Sequence, residues 1–216
     1  MKEIRLIRHA ESIANAGGTT STPRDIPLSD RGHLQAKALA DSITERPELM
    51  VLSPYIRTEE TARPLLKRFP DCPVETLPIQ EFTYLSISRC RNSTYEQRKP
   101  LVEEYWARCD PNYSDGDQAE SLVELVNRAR AFLRRIPEME GELIFVFTHE
   151  QFIKTVMWEV LQLGRETGPE FMTAFRKFST SFVIPNTAVM KMFFDDGEYT
   201  IGKIDSSHYP VKRKNL

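Results

Sequence analysis

Two arginines and two histidines, far apart in the chain, occupy the same kind of place in it. Arg8 and His9 close the run Ile4-Arg5-Leu6-Ile7. Arg57 comes just after Leu49-Met50-Val51-Leu52, and His149 closes Leu143-Ile144-Phe145-Val146-Phe147-Thr148. Each run is short, apolar and β-compatible, the pattern of a strand buried on both faces, and each is followed by a helix-like segment. In open α/β sheets ligands bind beyond the carboxyl ends of the strands. If the three strands are neighbours, Arg8, His9, Arg57 and His149 converge there. Two guanidinium forks and two imidazoles make a cage for a doubly charged tetrahedral anion, and phosphate is its natural occupant. The helix after His149 is expected to add its dipole and free backbone N–H groups.

Holding phosphate does not by itself cleave an ester. Hydrolysis of phosphate monoesters requires accelerations of up to about 10²¹, so one imidazole is expected to act as a nucleophile and split the reaction through a phosphohistidine. The attacking ring must be unprotonated, and Arg8 next to His9 favours the neutral form. His9 is therefore assigned to attack, with one ring N–H given to a backbone carbonyl. His149 is assigned to the cage as a charged donor. A single carboxyl can protonate the leaving alkoxide and later take a proton from water. Glu81, just beyond a strand expected at Val74 to Leu77, is the best-placed candidate, with Glu11 and Glu150 as rivals.

The intervening elements read as scaffolding. Ser29 or Asp30 is expected to cap a helix carrying Leu34, Ala36, Leu39, Ala40 and Ile43. A second helix opens after Ser53-Pro54 and reaches about Phe69, either kinking at Pro64 or beginning late because of it. Leu122, Leu125, Val126, Ala129, Phe132, Leu133 and Ile136 recur at three and four, a helix with one buried face that Pro137 closes. Helices are expected from Gln151 toward Leu163 and Gly164, and from about Gly168 to Phe178. Thr187 to Phe194 and Glu198 to Ile204, joined by Asp195-Asp196-Gly197, form a hairpin. The tail from Ser206, with Lys212, Arg213 and Lys214, reads as loosely held.

Two stretches are candidates for shaping a substrate site. The loop from Asn15 to Asp25 is small and polar. Residues 86–113 carry Arg89, Arg91, Arg98, Lys99 and Arg108 among Tyr95, Tyr105 and Trp106, read either as a solvated amphipathic insert or as a substrate-covering lid that presents cations. With that composition, sugar phosphates, nucleotides and phosphorylated acids fit equally.

At 216 residues with a formal charge of -2, the chain suits one α/β domain, 1–216, and has no basic field for nucleic acid or an anionic membrane. No apolar run approaches a membrane span. Three cysteines without a C-x-x-C pair and four scattered histidines suggest a reducing interior and no metal site. With a first strand starting almost at Met1 and no leader, a cytoplasmic location is expected.

In order along the chain these residues resemble the histidine phosphatase superfamily, the phosphoglycerate mutase-like enzymes. Leu6-Ile7-Arg8-His9-Ala10-Glu11-Ser12 with Asn15 is similar to its R-H-G-E signature, and Pro27-Leu28-Ser29 with Gly32 and Gln35-Ala36 to its helix start. Ser53-Pro54 with Arg57 and Thr61-Ala62 looks like the segment bearing the second phosphate arginine. Glu120-Ser121, Phe147-Thr148-His149, Pro185-Asn186-Thr187 and His208 resemble later motifs. The resemblance implies a three-layer α/β/α sandwich around a mostly parallel sheet. It also implies His9 as nucleophile, Arg8, Arg57 and His149 as phosphate clamp, Glu81 as acid and base, and Asn15 as a phosphate contact. The expected activity is metal-independent hydrolysis of a small phosphorylated molecule, without a cofactor. A mutase, or a catalytically weakened phospho-ligand-binding protein, is the alternative. Ala10 and Glu150 stand where the family usually has Gly, and Glu150 would repel phosphate unless paired or turned away.

Overall fold

The computed structural model describes residues 1–19, 22–162 and 166–209. The expectations for Leu163, Gly164 and the Lys212-Arg213-Lys214 tail lie outside the described residues.

Alternating apolar residues set the layers. The strands are β1 (Lys2–Arg8), β2 (Leu49–Leu52), β3 (Val74–Thr76), β4 (Leu143–Thr148), β5 (Val189–Asp195) and β6 (Glu198–Asp205). They form one sheet in the order β3-β2-β4-β1-β5-β6. The pairings among β3, β2, β4 and β1 are parallel, and β5 and β6 continue the sheet antiparallel. Successive strand residues point to opposite faces. Ile4, Leu6, Val51, Ile144 and Val146 thus enter one core and Ile7, Met50, Leu52, Phe145 and Phe147 the other.

Helices α1 (Asp30–Ser42) and α2 (Ile56–Arg68) cover the second face through Leu39, Ala40, Ala62 and Leu65. The first face is covered by α5 (Leu122–Arg135) and α6 (Glu150–Gln162), which add Val126, Ala129, Phe152 and Val156. α3 (Ile87–Cys90) and α4 (Tyr95–Ala107) lie between β3 and α5 in sequence, and α7 (Pro169–Thr180) precedes the hairpin. The result is the expected three-layer sandwich. Among the described residues no helix is long and apolar enough to cross a membrane.

Local chemistry explains the boundaries. Ser29 accepts from the Gly32 N–H and so caps α1, and Ser121 and Glu124 form a reciprocal capping box on α5. Pro64 lies inside α2, which neither ends nor starts there. Burial of Ala62 and Leu65 against the sheet offsets the roughly 3 kcal/mol that an interior proline costs. α5 stops at Arg135 and the chain continues into a 3-10 turn, Ile136–Glu138, which the periodicity did not announce.

Candidate active site

Strand register delivers the two imidazoles together. Arg8 stands opposite Thr148 in the β1–β4 pair, and the His9 N–H donates to the Thr148 carbonyl at 2.9 Å. The next residues in the two chains are His9 and His149, whose ring centroids are 5.1 Å apart. On the other flank Leu52 pairs with Phe147, so Ser53 leaves β2 beside them and Arg57 follows in the first turn of α2. The segment after β3 crosses the same edge and brings Glu81.

His9 is only 3% exposed. Its Nδ1 lies 2.7 Å from the Ala10 carbonyl oxygen, and Arg57 Nε donates to its Nε2 at 3.2 Å. A carbonyl can only accept and a guanidinium can only donate, so the proton sits on Nδ1 and the lone pair on Nε2. Burial, then the charges of Arg57 and Arg8, hold the ring neutral, well below its ordinary pKa of 6.5. Arg57 also donates to the Pro23 carbonyl at 2.6 Å and lies over the Tyr55 ring. Burial pulls its pKa down to about 10, which leaves it charged at neutral pH. Arg8 NH1 donates to the Ile184 carbonyl and meets Glu150 Oε2 at 2.8 Å. Arg8 Nε is buried with no partner among the described residues.

His149 is wholly buried. Its Nε2 is 2.7 Å from Ser53 Oγ, and its Nδ1 has no partner among the described residues. The expectation of a charged donor is corrected. Burial first, then Arg57, His9 and Arg8, hold this ring neutral as well. The ring lies behind the cavity wall that His9 lines.

Glu81 is partly buried, and its Oε1 accepts from the Phe82 N–H at 3.0 Å and the Gln151 N–H at 3.1 Å. The first-turn N–H of α6 expected for phosphate is thus committed to a carboxylate. Burial raises the Glu81 pKa above 4.5 against the opposing pull of Arg57. Neither rival carboxylate lines the cavity. Glu11 is held by Ser29 at 2.8 Å and Arg31 at 3.1 Å, and Glu150 by Arg8 and by Lys154 at 2.7 Å. Asn15 does line it, with Oδ1 accepting from Ser12 Oγ at 3.1 Å and Asn186 Nδ2 at 3.3 Å.

Arg8, His9, Arg57, Glu81 and Asn15 share a cavity of about 300 Å³. The segment 86–113, read either as a solvated insert or as a cation-presenting lid, forms part of its wall with a mostly uncharged face. Its cavity-lining residues are Ile87, Cys90, Tyr95, Arg98 and Val102. Arg89 pairs with Asp115 and Glu104, Lys99 with Glu96, and Arg108 with Glu104. Tyr105 and Trp106 are buried in an aromatic cluster with Phe82 and Tyr84 instead of facing a ligand.

Three supporting residues escaped the sequence reading as site residues. Ser53 holds His149. Thr61 Oγ1 accepts from the Ala10 N–H at 2.9 Å, and Asn186 Nδ2 donates to the His9 carbonyl at 3.0 Å. Ser53 stands at a strand end, which was its available signal. Asn186 is brought in by a distant loop, and nothing in its spacing connects it to His9.

A mostly parallel sandwich with paired arginines and histidines at its carboxyl edge defines an anion-handling α/β protein. Residues 4–205 match the family model described as histidine phosphatase superfamily (branch 1), and the chain belongs to that superfamily. It is 26% identical over 160 residues to phosphoglycerate mutase-like protein 4 of Arabidopsis thaliana, a match covering 71% of this chain and 69% of the relative. Among solved structures it is similar to a phosphoserine phosphatase variant from Entamoeba histolytica in complex with phosphoserine. That match has a TM-score of 0.72 and 22% identity over 96% of this chain and 99% of the other. The alpha-ribazole phosphatase of Shigella flexneri matches with a TM-score of 0.71 and 21% identity over 97% and 99%.

Proposed function

We propose that this chain is a phosphomonoesterase acting through phosphorylated His9, with Arg8 and Arg57 as the phosphate clamp at the cavity wall, His149 ordering that clamp from behind the wall, Asn15 as a further contact and Glu81 as acid and base. The observation that carries the reading is the fixed tautomer of His9. Its Nδ1–H is held by Ala10, and its Nε2 lone pair faces Arg57 at the cavity wall. Arg57 Nε currently donates to that lone pair. An entering phosphate oxygen is a stronger acceptor for Arg57, and transfer of this hydrogen bond frees Nε2 to attack.

In the first step the Nε2–P bond forms as the P–O ester bond breaks, and the departing alcohol oxygen takes the Glu81 proton. In the second, a water oxygen attacks phosphorus and gives a proton to Glu81, and the N–P electron pair returns to Nε2. The raised pKa of Glu81 suits a carboxyl that must hold a proton before the first step. The segment 86–113 covers the leaving alcohol. Glu150, the motive for a weakened-binding-protein reading, is paired with Arg8 and Lys154, which removes that motive.

The test is transfer of label from a ³²P-labelled phosphomonoester. The expected result is an acid-labile, alkali-stable phosphoamidate on His9, absent from folded His9→Ala together with phosphate release. Undiminished turnover in that variant would overturn the reading.

A further inference from the structure

Beside Arg98, the cavity is lined by Tyr84 and Leu85 and by Ile87, Tyr95 and Val102 of α3 and α4. Tyr95, Arg98 and Val102 are spaced by three and four, so a single face of α4 turns toward the cavity. Lys99 and Arg108 of the same region are paired with carboxylates outside the cavity lining. Arg98 is the segment's basic residue at the wall, and its NH1 donates to the Ser93 carbonyl at 3.5 Å. Leu85 is 8% exposed and is packed into the main core, so its part of the wall is fixed by the fold, whereas Tyr95 is 58% exposed. At about 300 Å³ the cavity stands at the lower end of the range of roughly 300–1,000 Å³ for small-molecule sites.

Resting on the phosphatase reading above, we propose that the alcohol part of the substrate is an apolar, ring-sized group that carries no carboxylate. A carboxylate here would lose water beside Leu85, Ile87 and Val102, and the guanidinium on this face, Arg98, already donates to the Ser93 carbonyl. An apolar group gains from the same wall, at about fourfold in affinity per methylene buried. Of the three substrate classes that composition left equal, the wall disfavours small phosphorylated acids.

The test uses two arms on the full chain. In the binding arm, calorimetry compares benzylphosphonate with 3-phosphonopropionate, which places a carboxylate where the first has a ring. Benzylphosphonate is expected to bind at least tenfold more tightly. Val102→Lys is expected to erase the preference and Ile87→Ala to lower it several-fold; thermal melts identify any variant that fails to fold, and the wild-type ranking alone still decides. Equal or tighter binding of the carboxylated compound overturns the proposal. In the turnover arm, benzyl phosphate is compared with phosphoserine, both esters of primary alcohols, so leaving-group chemistry is matched. A kcat/KM at least tenfold higher for benzyl phosphate is expected. Preferred hydrolysis of phosphoserine overturns the pocket assignment and leaves the phosphatase reading intact. Preferred binding of benzylphosphonate with no turnover and no label on His9 does the reverse.

Discussion

Glu150 Oε2 lies 2.8 Å from Arg8 NH1, while its Oε1 lies 2.7 Å from the ammonium of the buried Lys154. A carboxylate adjoining the proposed phosphate clamp is thereby neutralised from both sides. Lys154 in turn donates to the carbonyls of Ser179 and Phe182, so the pair ties Arg8 to the end of α7. With NH1 committed to Glu150 and the Ile184 carbonyl, the Nε edge of Arg8 is the edge left for a ligand.

Replacing Glu150 separates charge from geometry. Glu150→Gln keeps an acceptor for Arg8 and leaves the Lys154 charge uncompensated, so inorganic phosphate should inhibit a few-fold more strongly. Glu150→Ala also removes the support of Arg8, and KM should rise. Both variants should lose stability, the alanine by up to about 3 kcal/mol, because a buried ammonium loses its partner. Inhibition constants and urea midpoints check this, and unchanged phosphate inhibition in both variants would exclude a link between Glu150 and the clamp.

Ser53 Oγ is the hydrogen-bond partner of His149 Nε2. Ser53→Ala leaves a buried ring with neither nitrogen satisfied, at a cost of about 1–3 kcal/mol in stability. If His149 orders phosphate, kcat/KM should also fall about tenfold and recover in Ser53→Thr. Steady-state kinetics of the three forms decide; a stability loss with full activity would make the contact purely structural.

The paired strands and their reactive ends were legible because a fully buried strand must be continuously apolar, and the polar break after Ile7, Leu52 or Thr148 marks its end. The parallel register that sets His9 beside His149 was not legible, since it depends on pairing between distant segments. Which face of the insert meets the cavity was not legible for a similar reason. Arg89, Lys99 and Arg108 make its sequence look cationic, but Glu96 and Glu104, three and four residues from Lys99 and Arg108, and Asp115, 26 residues from Arg89, hold them outside the cavity lining. Composition counts charges without saying which face carries them. Glu81 was found from its place after β3, whereas its contact with Gln151 spans 70 residues and had no local signal.

Glu81 has its pKa raised above 4.5 by burial, so its protonated form persists to higher pH than in an exposed carboxyl. The alkaline limb of kcat/KM should report this group. Glu81→Gln should lower turnover of alkyl phosphates about 10²- to 10⁴-fold and abolish that limb. An ester of an acidic phenol does not need the proton, so the variant should release one phenol per enzyme rapidly and then stall before water attack. Stopped-flow measurement of that burst checks the assignment, and an unaltered pH profile in the variant would sink it.

The two imidazoles also make stability depend on pH. In the folded chain both have pKa values well below the ordinary 6.5, because of burial and the neighbouring arginines. Between their folded values and 6.5 the unfolded chain binds more protons, so stability rises with pH there, is complete above about 6.5 and is lost as the pH falls. Each ring contributes up to about 1.4 kcal/mol per pH unit in that window. Glu81 acts in the opposite sense. Its raised pKa favours the folded chain at low pH, and that contribution is lost as the pH rises through its folded value. With two rings against one carboxyl, urea midpoints should fall between pH 7 and pH 5, and His149→Asn should reduce that slope by about half if the rings act independently. A midpoint that stays constant over this interval in the parent protein would mean that the rings take up protons in the folded state, contrary to the neutral His9 that the proposed attack requires.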